Sequence, residues 1–172
     1  MTPTAEVARV LEERARQLAN VDDVDSASPQ SLLEVLLCRV GTERYALDMS
    51  DLRSVHRPSG LTAVPCEFGQ VAGVVNIRGE LVTVLDLAAL LDLGATTVES
   101  ATRVLLVETT HGAVGLLIDE VLGVEQLALE QLDPPPPGPA SSRGIANGST
   151  VLLNLEQLFA EQGFDEENEV GR

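Results

Sequence analysis

A chain of 172 residues with 27 acidic and 11 basic side chains carries a formal charge of −16. Such a surface repels phosphate backbones and argues against nucleic acid and anionic membranes as partners. Only one Tyr and three Phe accompany an apolar content of 44%, so the core must be built from Val, Leu, Ile and Ala, which suits small curved sheets better than a large ligand cavity.

The chain opens on a pattern with helical spacing over residues 3–19. Val7, Leu11, Ala15 and Leu18 recur on one face, while Glu12 and Arg16 stand four apart on the polar face. Charges every few residues exclude a signal peptide or anchor there. Residues 1–20 are therefore read as an amphipathic helix and 21–31, rich in Asp, Ser and Ala, as an acidic flexible linker.

From residue 32 the pattern becomes short apolar runs broken by turns. Strands are expected at 32–40, from Tyr45 to Leu47, and over 52–56, with a brief helical turn at 48–51. A loop over 62–70 leads to two runs of β-formers, 71–77 and 81–85, joined by Arg78-Gly79-Glu80. Gly79 supplies the positive φ such a turn needs, which leaves Arg78 as either a solvated turn charge or a presented contact. A short helix is expected at 88–93, strands at 103–108 and 113–118, and a further strand and turn within 119–132. Pro134 to Pro137 cannot form a central strand, because four successive residues lack the donor a ladder needs. A strand at 151–153, a helix over 155–159 and an acidic tail at 161–172 complete the chain. Nine or ten short strands without βαβ alternation argue for barrels or sandwiches. No internal repeat stands out.

The motifs of common chemistries are missing: there is no G-x-S-x-G, P-loop, G-x-G-x-x-G or H-E-x-x-H. His56 and His111 read as exposed loop residues, Asp86 and Asp119 as caps at strand ends, and Tyr45 as a core residue with its hydroxyl at the rim. Cys38 and Cys66 have no metal-ligand spacing to either histidine and read as reduced thiols of a cytoplasmic protein. No run approaches the roughly 20 apolar residues that span a bilayer. Catalytic residues, metal ligands and cofactors are not expected.

The stretch Gly73-Val74-Val75-Asn76-Ile77-Arg78-Gly79-Glu80-Leu81-Val82-Thr83-Val84-Leu85-Asp86-Leu87 resembles the most specific block of the CheW family, the coupling proteins of bacterial chemosensory arrays. Tyr45-Ala46-Leu47-Asp48, Val114 to Val121, and Gly144-Ile145-Ala146 with Val151 to Phe159 resemble three further family blocks in order. The resemblance implies a mainly β fold of two intertwined five-stranded SH3-like barrels over 32–160, the first drawn mainly from 32–85 and the second from 103–153. It implies a non-catalytic adaptor between the cytoplasmic tip of a methyl-accepting chemoreceptor and the regulatory domain of a CheA-type histidine kinase. On that reading the protein is a monomer in isolation and is assembled in arrays. Arg78, at the junction between barrels, would contact the receptor with Asn76, Leu52, Ser54 and Val55, and Val121, Leu122 and Val124 would contact the kinase. Ser54, Phe68, Thr83 and Ala88 depart from the family pattern, which bears on the receptor partner rather than the fold. Two alternatives stay open: a stand-alone regulator of a kinase without receptor binding, and a small β-barrel enzyme.

Overall fold

The computed structural model describes residues 31–135, 137 and 141–163. The expected N-terminal helix, nearly all of the linker and the tail from residue 164 lie outside them. Ten strands form among the described residues: β1 Leu32–Val40, β2 Glu43–Asp48, β3 Leu52–His56, β4 Val71–Ile77, β5 Glu80–Asp86, β6 Arg103–Thr109, β7 Gly112–Ile118, β8 Glu120–Ala128, β9 Ser142–Ala146 and β10 Thr150–Leu153. A 3-10 turn, Met49–Asp51, joins β2 to β3, and another, Leu129–Gln131, follows β8. The two helices are α1 Leu87–Leu90 and α2 Leu155–Glu161. α1 starts a residue earlier than expected because Asp86 caps it, accepting from the Ala88 amide.

The strands form two five-stranded sheets, ordered β8-β1-β2-β10-β9 and β3-β6-β7-β5-β4. Each contains one parallel pair, β2 with β10 and β5 with β7, and is otherwise antiparallel. This is the expected pair of SH3-like units, but the division at 32–85 and 103–153 needs correcting. The first sheet takes only β1 and β2 from the first half of the chain and completes itself with β8, β9 and β10. The second takes β6 and β7 from the second half and completes itself with β3, β4 and β5. The cause is local: the turn at Met49–Asp51 carries β3 away from β2, onto the edge of β6.

The two halves correspond register for register, which the sequence did not disclose. Leu37 opposes Ala46 as Leu106 opposes Gly115. Leu52 opposes Val107 as Val121 opposes Cys38, and in both edge strands the next residue, Arg53 or Leu122, is the extra residue of a bulge. The trace in sequence is Val84-Leu85-Asp86-Leu87-Ala88-Ala89-Leu90-Leu91 against Leu152-Leu153-Asn154-Leu155-Glu156-Gln157-Leu158-Phe159. Asp86 and Asn154 are equivalent helix caps within it.

The central strands bury both faces. Along β6, Val104 and Leu106 join a cluster with Val75, Val82, Val84 and Leu117 inside the second sheet. Leu105 and Val107 point the other way, into a cluster that takes Leu36, Cys38, Tyr45 and Leu47 from the first sheet. Leu85, Leu116, Leu153 and the helix residues Leu87, Leu155 and Leu158 complete this shared core. Val35, Ala46, Leu127, Ala146 and Leu152 fill the interior of the first sheet. Such strands read as continuous apolar runs rather than as alternation.

Each sheet is closed by one isolated bridge at an equivalent place. Thr62 exchanges both backbone hydrogen bonds with Val74 of β4, and Asp133 does the same with Ile145 of β9. Glycine makes the approach possible, since a Cβ on Gly73 would lie 2.2 Å from the Thr62 carbonyl oxygen, at φ +150. One on Gly144 would lie 2.9 Å from that of Asp133. Gly73→Ala is therefore expected to destabilise the protein by about 2–3 kcal/mol in chemical denaturation, from overpacking plus backbone strain. Gly60→Ala, with φ +75 but nothing within 4 Å of the new Cβ, is expected to cost only about 1 kcal/mol. Equal losses would show that contact with Thr62 is not what the glycine avoids.

Candidate functional site

Arg78 and Gly79 form a two-residue turn between Ile77 and Glu80, and both adopt positive φ, 52° and 89°. These are the signs of a type I′ turn, whose twist matches that of the flanking strands. Asn76 stabilises it by accepting the Gly79 amide on Oδ1 at 2.8 Å, so Asn76 acts here as a brace. The Arg78 side chain is exposed. It does not reach Asp86, which lies at the far end of β5 and accepts from the Ala88 amide and from both the amide and hydroxyl of Thr96. The family resemblance implies a place for Arg78 at the junction between barrels. In the structure the hairpin meets the shared core through Val71 and Leu85, and Arg78 lies seven residues from each, roughly 23 Å along the strands.

Leu81 was read as part of an apolar strand, but it is 76% exposed. It pairs with Asn76 and gives the Arg78 tip an apolar neighbour. Period-two reading of β5 would have found it, since Val82 and Val84 point inward and Leu81 and Thr83 outward.

The other expected receptor residues lie on β3, an edge strand on the opposite side of the sheet order from β4. Leu52 is half-buried against the shared core. Val55 is 45% exposed. Ser54 Oγ and His56 Nε2 are 2.7 Å apart, so His56 is a strand residue with a hydroxyl partner rather than the free loop histidine expected. The chain leaving β3 returns to β4 at the Thr62 bridge, with Leu61 packed against the cluster that holds Val75. Arg78 and Asn76 thus stand on the β4–β5 hairpin and Leu52, Ser54 and Val55 on β3 of the same sheet.

The expected kinase residues occupy β8, the edge of the first sheet. Val121 packs on the shared core, whereas Leu122 and Val124 are 41% and 50% exposed. Leu122 is the extra residue of the bulge and has no Cα partner on β1. Leu52, Arg53, Ser54 and Val55 of β3 are the counterparts of Val121, Leu122, Gly123 and Val124 of β8. The two proposed contact groups are therefore the same structural position in the two sheets. Their chemistry differs: Arg53, His56 and Arg57 mark the β3 edge, and Glu120, Glu125 and Glu130 the β8 side.

Asp119, between β7 and β8, does not cap its own corner but accepts the amide of Gly41 in the β1–β2 turn. The Tyr45 hydroxyl donates to the Glu43 carboxylate at the rim of the core; burial and that acid hold the phenol well above its ordinary range. Among the described residues, no helix is long and apolar enough to cross a membrane, and no group of three His, Cys, Asp or Glu could hold a metal ion.

The CheW-like domain family matches residues 34–163. The chemotaxis protein CheW of Thermotoga maritima is 32% identical over 100 residues, which cover 58% of this chain and 66% of that protein. Protein FrzA of Myxococcus xanthus is 31% identical over 128 residues, 71% of this chain and 80% of its own. The crystal structure of the scaffolding protein TtCheW from Thermoanaerobacter tengcongensis aligns with a TM-score of 0.67 at 24% identity, covering 78% of this chain and 91% of that one.

The difference between the β8 side chains gives a direct expectation. Val121→Glu places a charge against the shared core and is expected to cost about 3 kcal/mol or more in stability. Leu122→Glu is expected to stay within about 1 kcal/mol of the native protein, read by denaturant unfolding. The thiols give a second. Cys38 is buried, and burial with Asp119 nearby pushes its pKa up to about 12, while Cys66 is exposed. A disulfide reagent at mildly alkaline pH should label only Cys66 in the folded protein. Labelling of both at similar rates would show that the shared core opens readily.

Proposed function

This chain belongs to the CheW-like domain family, and from that premise we propose that it is a cytoplasmic, non-catalytic adaptor joining methyl-accepting chemoreceptors to a CheA-type histidine kinase. The observation that carries the reading is the pair of equivalent but chemically different sheet edges. An adaptor must hold two unlike partners at once. A duplicated fold with its two edges altered independently supplies two such surfaces on one rigid core.

The β8 edge, with Leu122 and Val124 outward and a row of free backbone groups, suits the kinase's regulatory domain, which the family resemblance describes as CheW-like in its own right. Exposed apolar residues on an edge strand are a docking surface or an aggregation risk. The β3 edge is the receptor's counterpart to this surface, and the tip built from Arg78, Asn76 and Leu81 on the same sheet adds a planar cation beside an apolar side chain, a combination common in interface hot spots. Ser54, where the family often has an acid, favours a second reading in which the protein regulates a kinase without touching a receptor.

The two readings separate in a pull-down against receptor cytoplasmic tips and against the kinase. Arg78→Ala is expected to weaken receptor capture about tenfold or more and to leave kinase capture unchanged, with a melting curve like the parent's. Leu122→Glu is expected to do the reverse. If the parent captures the kinase alone, the stand-alone regulator replaces the adaptor. If it captures neither, both readings fall.

A further inference from the structure

Where β6 ends against α2, a cleft of about 200 Å³ opens along the seam of the two sheets. Its floor is Val107, Leu155 and Phe159, all buried members of the shared core. Its rim carries three carboxylates from three separate elements: Asp51 from the turn before β3, Glu108 from β6 and Glu156 from the first turn of α2. The volume is below the roughly 300 Å³ at which small-molecule pockets begin. It is several times the roughly 30 Å³ share of one water. One long side chain fits that range.

The charges on the rim are poorly balanced. Glu108 meets Arg53 at 3.4 Å, but both are well exposed, and such a pair contributes little. Arg143 lies nearest to Asp48, at 3.9 Å. The Asp51 carboxyl is held above its ordinary range, first by burial and then by Asp48 and Glu156, with Arg143 offsetting part of this. Since these acids form no group that could hold a metal ion among the described residues, the cation that suits them has length.

We propose that this cleft is a socket for one arginine side chain, presented on an otherwise apolar segment of a partner protein. The aliphatic stem lies over Val107, Leu155 and Phe159, and the guanidinium reaches the rim carboxylates. Arginine suits the site better than lysine, because its head is less strongly hydrated, stacks on aromatic rings and forks onto carboxylates. The net charge of the chain steers such a segment inward. The socket adjoins the start of β3 through Asp51 and through Arg53, the partner of Glu108, shares no lining residue with the β8 or Arg78 surfaces, and does not depend on the adaptor reading.

The test uses the ¹⁵N-labelled full chain and two acetylated, amidated tripeptides, Leu-Arg-Leu and its citrulline analogue, which keeps the shape and removes the charge. The arginine peptide is expected to cause saturable amide shifts confined to residues 51, 107–110 and 155–159, weakening as salt is raised. The citrulline peptide, and the arginine peptide with the Asp51→Asn/Glu156→Gln variant, are expected to bind about tenfold more weakly or worse. That variant removes like charges, so its melting temperature should equal or exceed the parent's, which separates lost binding from lost folding. Shifts spread over the acidic surface, equal binding of the citrulline peptide, or binding unaltered in the variant would each overturn the proposal. Neither kinase nor receptor is needed, so the outcome stands apart from that of the pull-downs.

Discussion

Everything in this fold depends on strands that are apolar on both faces. A sheet with one wet face could stand alone on a second layer, but β6, with Val104 and Leu106 on one side and Leu105 and Val107 on the other, has two surfaces to bury. The second sheet encloses one of them, and only another sheet can cover the other. At roughly 25 cal/mol for each Å² of apolar surface removed from water, exposing the second face would forfeit several kcal/mol per strand. The halves are thus bound to each other by the same side chains that form the strands.

The exchange of strands follows from this constraint. With no polar face to choose between, hydrophobic pattern sets no register between β2 and β3. The decision passes to local features: the 3-10 turn after Asp48, whose side chain caps the Ser50 amide, and the one-residue corner at Asp119 between β7 and β8. These turns send each half's third strand to the other sheet. The closing glycines, Gly73 and Gly144, serve the same end. They allow the segment after each exchanged strand to reach the far edge and bridge to it.

The strands were legible in the sequence because each apolar run is bounded by turn residues, and β1 was placed residue for residue at Leu32–Val40. The Arg78-Gly79 turn was legible for the same local reason. The partition into sheets was not, because a run buried on both faces gives no alternation to say which neighbour it faces. The duplication stayed hidden because most equivalent positions exchange one apolar residue for another, as Cys38 does for Val107 and Tyr45 for Val114. At the candidate surfaces, Leu122 and Val121 look alike in sequence, and only the placement of β8 shows which of them faces the core. Leu81 was missed because it sits inside a run that is apolar on average and exposed in fact.

The crossed partition also shapes how the chain acquires its structure as it leaves the ribosome. β1 and β2 emerge first, yet their neighbours β8 and β10 are made last, the latter ending at Leu153. For most of synthesis the first hairpin has no sheet to join, and its two apolar edges stand open to any other nascent strand. Closing such distant pairs late carries a loop-entropy cost that slows folding. A cell making this protein in quantity therefore holds a pool of half-made chains whose first hairpin needs shielding until the last strand arrives.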